Sequence, residues 1–273
     1  MLNGLDLFSG IGGLAVALGQ YVRPIAYCEI DTYCQGVLLS RMHDGSIARS
    51  PIWDDVRTLC GQWIGGDIDI IYGGFPCQDI SVAGHGKGLA GERSGLYWQI
   101  HRLAKEIQPP FIFLENVPAI LCRGGSTVVE SITAMGYDCR WCVISAASVG
   151  ALHRRERWFL LAHSKRDGRR PDATRHELQS AKCVCDDNSL PSEQTDSCAI
   201  PEQNEGRAWG GHTGQYWPFE SRTDWQETCA RVYRVSDAIP FRVDRIKSLG
   251  NSVVPVQAQT AFEVLMGLDR VGF

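Results

Sequence analysis

A cysteine and a glutamate carry the first chemical signal. Cys77 stands in Gly73-Gly74-Phe75-Pro76-Cys77-Gln78, behind the apolar run Ile68-Asp69-Ile70-Ile71-Tyr72. Glu115 stands in Glu115-Asn116-Val117, directly behind Phe111-Ile112-Phe113-Leu114. Each apolar run reads as a short buried strand. Thiol and carboxyl therefore both fall where a strand's carboxyl end opens into a loop, the edge at which open α/β sheets collect ligands and chemistry. A buried cysteine is ordinarily an inert small hydrophobe. Cys77 differs because Pro76 fixes the backbone before it and a glycine-rich, hinge-like loop follows it. The thiolate fraction of such a group is small at neutral pH but intrinsically very nucleophilic. Glu115 reads either as a salt-bridged acid closing a strand or as a group able to bond a ring nitrogen and an exocyclic amine. Together the two could act on one small ring.

A second constellation lies near the N-terminus. Leu5-Asp6-Leu7-Phe8 reads as a first buried strand, and Ser9-Gly10-Ile11-Gly12-Gly13 as a tight turn opening a helix from Leu14 to Gln20. Small residues there let a ligand approach the backbone closely at a helix start. Glu29 ends the next strand, Ile25-Ala26-Tyr27-Cys28, and follows Gly10 by about the 20 residues that set an acid on a nucleotide ribose in dinucleotide-type folds. A glycine turn alone is equally explained by packing; strand, turn, helix, strand and terminal acid in that order favour cofactor binding. Phe8 occupies the place of the first glycine in the six-residue nicotinamide fingerprint, which favours an adenosyl cofactor without a pyrophosphate. A third cluster, His153-Arg154-Arg155-Glu156-Arg157, precedes a strand. It reads either as a solvated charge run or, since alternate strand residues share a face, as a paired cationic clamp of Arg155 and Arg157.

The elements that must position these groups follow from hydrophobic period and breakers. They are a helix from about Thr32 to Arg41, a short third strand closing at Asp54-Asp55-Val56, and the strand Ile68 to Tyr72. A loop from Val82 to Ser94 then carries Gly84, Gly86, Gly88 and Gly91. A helix from Tyr97 to Ile107 is stopped by Pro109-Pro110, and the strand before Glu115 leads to a helix near Thr127 to Met135. Strands Asp138 to Ser145 and Arg157 to Ala162 come next, and Pro255 to Leu268 forms a final helix. Strands alternating with helices predict an α/β fold with a largely parallel sheet covered on both faces. From Ser164 to roughly Cys229 the chain turns polar and loses its period. The expected division is a catalytic and cofactor-binding domain over 1–163, a small loop-rich insertion over 164–240, and a C-terminal segment over 241–273 that returns to the first domain.

Composition bounds the rest. A chain of 273 residues with 44% hydrophobic and 21% charged residues suits a globular enzyme with one sizeable core. No apolar run reaches the roughly 18 residues that span a bilayer, and the N-terminus lacks the pattern of a secretory signal. Eleven scattered cysteines fit a reducing compartment, so a cytoplasmic location is expected. A net charge of −4 gives no global attraction to nucleic acid, so any such binding rests on local basic clusters.

With these blocks in order, the chain resembles the DNA (cytosine-5)-methyltransferase family. The matches are Asp6-Leu7-Phe8-Ser9-Gly10-Ile11-Gly12-Gly13, Glu29, Asp55-Val56, Gly74-Phe75-Pro76-Cys77-Gln78, Glu92-Arg93-Ser94-Gly95-Leu96, Glu115-Asn116-Val117, Arg155-Glu156-Arg157 and Gly250-Asn251-Ser252-Val253-Val254-Pro255. They span nearly the whole chain except the insertion. The resemblance implies a Rossmann-like S-adenosylmethionine-dependent methyltransferase sheet with a target-recognition insertion. It also implies methyl transfer to carbon 5 of a flipped-out cytosine in double-stranded DNA, with Cys77 adding to ring carbon 6. Glu115 would hold ring nitrogen 3 and the amino group, Arg155 the carbonyl oxygen, and Arg157 would support Glu115. For the cofactor it implies Phe8 against the adenine, Gly10 and Gly12 leaving room for the methionine end, Glu29 at the ribose and Asp55 at the adenine amine. Further cofactor contacts fall to Ile30, Val56, Pro76, Leu96, Asn251 and Ser252. The loop from Gln78 to Gly95 matches the family's mobile catalytic loop, with Gln78, Ser81, Lys87 and Arg93 expected at the DNA.

This sequence departs from the family at Leu152-His153, where Pro-Gln often precedes the arginines. The stretch Arg234 to Pro240, then Arg242 to Lys247, resembles short prophage-type members. In the insertion, the cluster from Lys165 to Arg170 and the aromatics Trp209, Tyr216, Trp217 and Trp225 suit either a DNA surface or a small core with a solvated face. Cys183, Cys185, Cys198 and Cys229 match no standard zinc spacing, so no metal is expected. A monomer is expected, working alone or beside a separately encoded restriction nuclease. The same chemistry on RNA, or a non-catalytic DNA-binding role, are the competing readings; Pro118-Ala119-Ile120 after Glu115-Asn116-Val117 favours DNA over RNA.

Overall fold

The computed structural model of the chain describes residues 1–64, 67–76, 95–122, 124–165 and 242–268. Seven strands form one sheet in the order β3-β2-β1-β4-β5-β7-β6. They are β1 Leu2–Leu7, β2 Val22–Cys28, β3 Ile52–Trp53, β4 Ile70–Gly74, β5 Phe111–Asn116, β6 Tyr137–Ser145 and β7 Glu156–Ser164. The first five are mutually parallel, whereas β7 runs antiparallel to both β5 and β6. The described helices are α1 Gly13–Leu18, α2 Thr32–His43, α3 Gly95–Ile107, α4 Gly125–Ala134, α5 Arg242–Asn251 and α6 Pro255–Met266.

Strand alternation divides the sheet's side chains between two apolar layers. On one face Leu5, Leu7, Ile71, Ile112, Leu114 and Leu160 meet Tyr97, Ile100 and Leu103 of α3 and Val128 and Ile132 of α4. On the other face Ile70, Tyr72, Phe111, Phe113 and Phe159 meet Leu14 and Leu18 of α1 and Ala258, Ala261, Phe262 and Leu265 of α6. The C-terminal helix is thus part of the central core. Around Tyr27, α2 adds Leu38 and Met42. No described helix is long and apolar enough to cross a membrane.

Local chemistry sets the element ends. Asp31 caps α2, its carboxylate accepting from the backbone N–H groups of Tyr33 and Cys34. Pro255 opens α6, where a missing N–H costs nothing, and Gly267 closes it in the left-handed conformation. Pro24 sits inside β2, where the register with β1 slips between Gly4 and Leu5; the irregularity accommodates a residue that cannot donate to the ladder. The strand expected to end at Tyr72 runs on through Gly73 and Gly74, which pair with Leu114 and Glu115 of β5.

Candidate active site

The chain steps outward from β1 to β2 and β3, then returns to β4 on the other side of β1. The carboxyl ends of β1 and β4 therefore flank the point at which strand order reverses, where open α/β sheets bind ligands. The glycine turn follows β1, and Gly74-Phe75-Pro76 leads out of β4. Glu115 lies near the end of β5, and antiparallel β7 delivers Glu156 and Arg157 to the same edge.

On the cofactor side, Phe8 and Gly10 adopt positive φ of 55° and 53°. A Cβ on Gly10 would meet nothing within 4 Å, so its backbone faces open space. Gly13 is different: a Cβ there would lie 2.9 Å from Ser252 Oγ and 3.1 Å from Val253 Cγ1, so the absent side chain lets the 252–253 segment lie against the first turn. The buried Glu29 carboxylate accepts from Gly10 N at 2.7 Å and from Asp31 N at 2.8 Å. It thereby joins the ends of β1 and β2. Ile30, 64% exposed, follows as an apolar surface at that end. Asp55 does not stand open: its carboxylate pairs with Arg57 at 2.7 Å, which holds its pKa below the usual carboxylate range. Val56 and Leu96 pack with the α3 layer, Val56 fully and Leu96 in part.

The reaction side is built around Glu115. Its Oε1 accepts from Arg157 Nε at 2.9 Å, both side chains being largely buried. A Cβ on Gly74 would lie 2.6 Å from Glu115 Oε2, so the carboxyl occupies space that only glycine leaves. Burial raises the Glu115 pKa, outweighing the opposite pull of Arg157 and Arg155. Asn116 donates from Nδ2 to Phe75 O at 3.1 Å and ties the loop after β4 to β5. Elsewhere burial pushes the thiols of Cys28 and Cys142 up to about 12, so neither is a nucleophile near neutral pH.

The reason expected for the arginine pair is corrected. Arg155 precedes β7, as expected, but its left-handed φ of 24° breaks the alternation, so the shared-face argument does not align it with Arg157. Its guanidinium instead reaches the carbonyls of Gly250 at 2.7 Å and Ser252 at 2.6 Å. Arg155 still acts electrostatically on Glu115 and is itself influenced by Arg157 and Glu115, which assigns all three to one neighbourhood. Asn251, exposed at the end of α5, belongs to the segment that Arg155 grips.

Cys77, Gln78, Ser81, Lys87 and Arg93 lie outside the described residues, as do Arg166 to Arg170 and the aromatics and cysteines of the insertion. Pro76 is described and exposed. Sequence reasoning missed the spatial reason for Gly74, and it missed Gln257, whose buried Nε2 donates to Ile144 O and Arg155 O. The available signal for Gln257 was a polar residue on the stripe it shares with Ala258, Ala261, Phe262 and Leu265.

The family model for C-5 cytosine-specific DNA methylase matches residues 2–216. Type II methyltransferase M.CviJI of Paramecium bursaria Chlorella virus IL3A is 35% identical over 162 residues, covering 59% of this chain and 43% of that protein. A solved Escherichia coli structure, encoded within a prophage and described as a DNA modification methyltransferase, is 28% identical with a TM-score of 0.50, covering 61% of this chain and 47% of that one. The S. pombe Dnmt2 methyltransferase, 21% identical with a TM-score of 0.51 over 62% of this chain and 52% of that one, shares the fold. Among the first curated relatives, the matched region spans 43%, 41% and 51% of their lengths.

Proposed function

Because the chain belongs to the C-5 cytosine-specific DNA methylase family, we propose that it transfers a methyl group from S-adenosylmethionine to carbon 5 of a cytosine swung out of double-stranded DNA. The observation that carries this reading is the buried Glu115 carboxyl, seated against Gly74 and paired with Arg157 at the same sheet edge as the glycine turn. Its likeness to relatives named Type II methyltransferases, such as M.CviJI, supports a methyltransferase role; in our reading the protein works alone or beside a separately encoded nuclease.

The residues at the β1 end suit the cofactor. Gly10 leaves its backbone open, Glu29 is already oriented by two N–H groups to accept ribose hydroxyls, and Ile30 offers an apolar surface for a purine. Asp55 can accept the adenine amine, since its pairing with Arg57 is exposed and contributes little. When bound, S-adenosylmethionine supplies an electrophilic methyl group.

On the ring, nitrogen 3 of cytosine accepts a hydrogen bond and the exocyclic amine donates one. A carboxylic acid presents one donor and one acceptor, and burial of Glu115 favours that protonated form. The Cys77 thiolate adds to carbon 6, and the displaced electron pair is stabilised as Glu115 shares its proton with nitrogen 3. Carbon 5 of the resulting enamine would then take the methyl group, the methyl–sulfur bond breaking so that its electron pair stays on the departing S-adenosylhomocysteine. Transfer of the carbon 5 proton to a base then re-forms the carbon 5–carbon 6 double bond, breaks the carbon–sulfur bond and frees the thiolate, while the proton on nitrogen 3 returns to Glu115. Arg155 would steady the ring carbonyl oxygen once it leaves its backbone acceptors.

The test is transfer of labelled methyl from S-adenosylmethionine to unmethylated genomic DNA, with total RNA in parallel. Label in DNA as 5-methylcytosine is expected, and Cys77→Ser should abolish it while cofactor affinity stays within about twofold. Label in RNA alone, or full activity in Cys77→Ser, would overturn this reading.

A further inference from the structure

Gln257 is wholly buried among the alanines and phenylalanine of α6. Its Nε2 donates to Ile144 O and to Arg155 O, each at 2.7 Å. Two carbonyl acceptors on one nitrogen define the orientation of the amide, because the reversed amide would aim an oxygen at both. The opposite atom, Oε1, is buried without a hydrogen-bond partner among the described residues. A buried polar atom left unmatched is costly, and a purely apolar anchor for α6 would avoid it. The bonds that Gln257 does make lie at the end of β6 and immediately before β7. They hold the carbonyl of Arg155, whose φ of 24° no L-residue adopts without restraint. Ala146 N adds to that restraint by donating to the carbonyls of Arg154 and Arg155.

From this backbone Arg155 extends its guanidinium to Gly250 O and Ser252 O, and the influence of its charge reaches Glu115. Ser252 in turn lies against Gly13 of the first turn. One chain of contacts thus runs from α6 through Gln257 to Arg155 and on to the segment beside the glycine turn. We propose that Gln257 is a positioning residue for methyl transfer: it holds the Arg155 carbonyl, and so fixes the backbone from which the guanidinium, on leaving its carbonyl acceptors, reaches the target ring. The role rests on the function proposed above. Gln257 itself touches no reacting atom.

A double-mutant cycle separates this role from simple support of α6. Gln257→Met keeps the length and apolar body of the side chain and removes both donors. Methyl transfer to DNA by Gln257→Met is expected to fall by about tenfold or more, since small misplacements of a positioning group slow chemistry steeply. In an Arg155→Ala background the same substitution should change the rate by less than about twofold, because the group it positions is gone. S-adenosylmethionine affinity, measured by calorimetry, should stay within about twofold of the wild type. Equal losses in both backgrounds would overturn the positioning role, as would an unaltered rate in Gln257→Met. A wild type inactive on DNA would overturn the proposed function, and this role with it. An active wild type with additive losses would overturn this role alone.

Discussion

Glu115 illustrates how a single residue takes its chemistry from its neighbours. Arg157 stabilises its charged form, yet burial raises its pKa on balance. In the proposed reaction, replacing it with Gln keeps a donor and an acceptor for the ring but removes the transferable proton. Glu115→Gln is therefore expected to slow methyl transfer by at least about a hundredfold, with cofactor affinity preserved, in single-turnover assays. Gly74 makes the complementary case. Its missing Cβ is space that Glu115 Oε2 uses, at 2.6 Å from where that atom would stand. Gly74→Ala should push the carboxyl off the ring and lower the turnover number by about tenfold or more, again with cofactor binding intact. Unaltered turnover would show that the carboxyl has room to shift. The residue types at 74 and 115 were plain in the sequence. That one makes room for the other was not, because it depends on the register between β4 and β5.

At the scale of elements, β1 carries an unusual burden. Asp6 is fully buried between Tyr27 and Tyr72, its partners on the flanking strands. Burial raises its pKa well above the ordinary value, against the opposing pull of the Ser9 and Tyr72 hydroxyls. A carboxyl whose folded pKa exceeds its unfolded one binds more protons in the native state. Its contribution is complete below the unfolded pKa and is lost as pH rises through the folded value. Urea unfolding from pH 4 to pH 8 should thus show stability declining across that window in the wild type. In Asp6→Asn the slope should be flatter; an identical slope would mean that another group sets it. Hydrophobic period had located β1, β5, α3 and α6 to within a few residues, because their burial patterns are regular. It could not show that alternation fails between Arg155 and Arg157, since a single left-handed residue breaks it without altering composition.

For the whole molecule, the C-terminal helix closes the core. Phe262 is 1% exposed and meets Phe113 edge-on at 5.3 Å, and Ala258, Ala261 and Leu265 fill in beside it. Phe262→Ala should cost about 3–5 kcal/mol in equilibrium unfolding. A loss below about 1 kcal/mol would show that α6 is peripheral. The same helix brings Gln257 to Arg155, and Ser252 just before it lies against the first turn, so core packing and the site share one anchor. The order of the motifs along the chain was sufficient to identify the family, the α/β class and the strand ends at which chemistry gathers, because strand, turn and acid are local patterns with local causes. Folding added the contacts between residues far apart in sequence: Glu29 on the Gly10 amide, Glu115 against Gly74 and Arg157, and Arg155 on the 250–252 backbone. Those depend on strand order and register, and on the path by which the last helix returns. No spacing in one dimension encodes them, because they arise only when separate segments compete for the same few ångströms at the sheet edge.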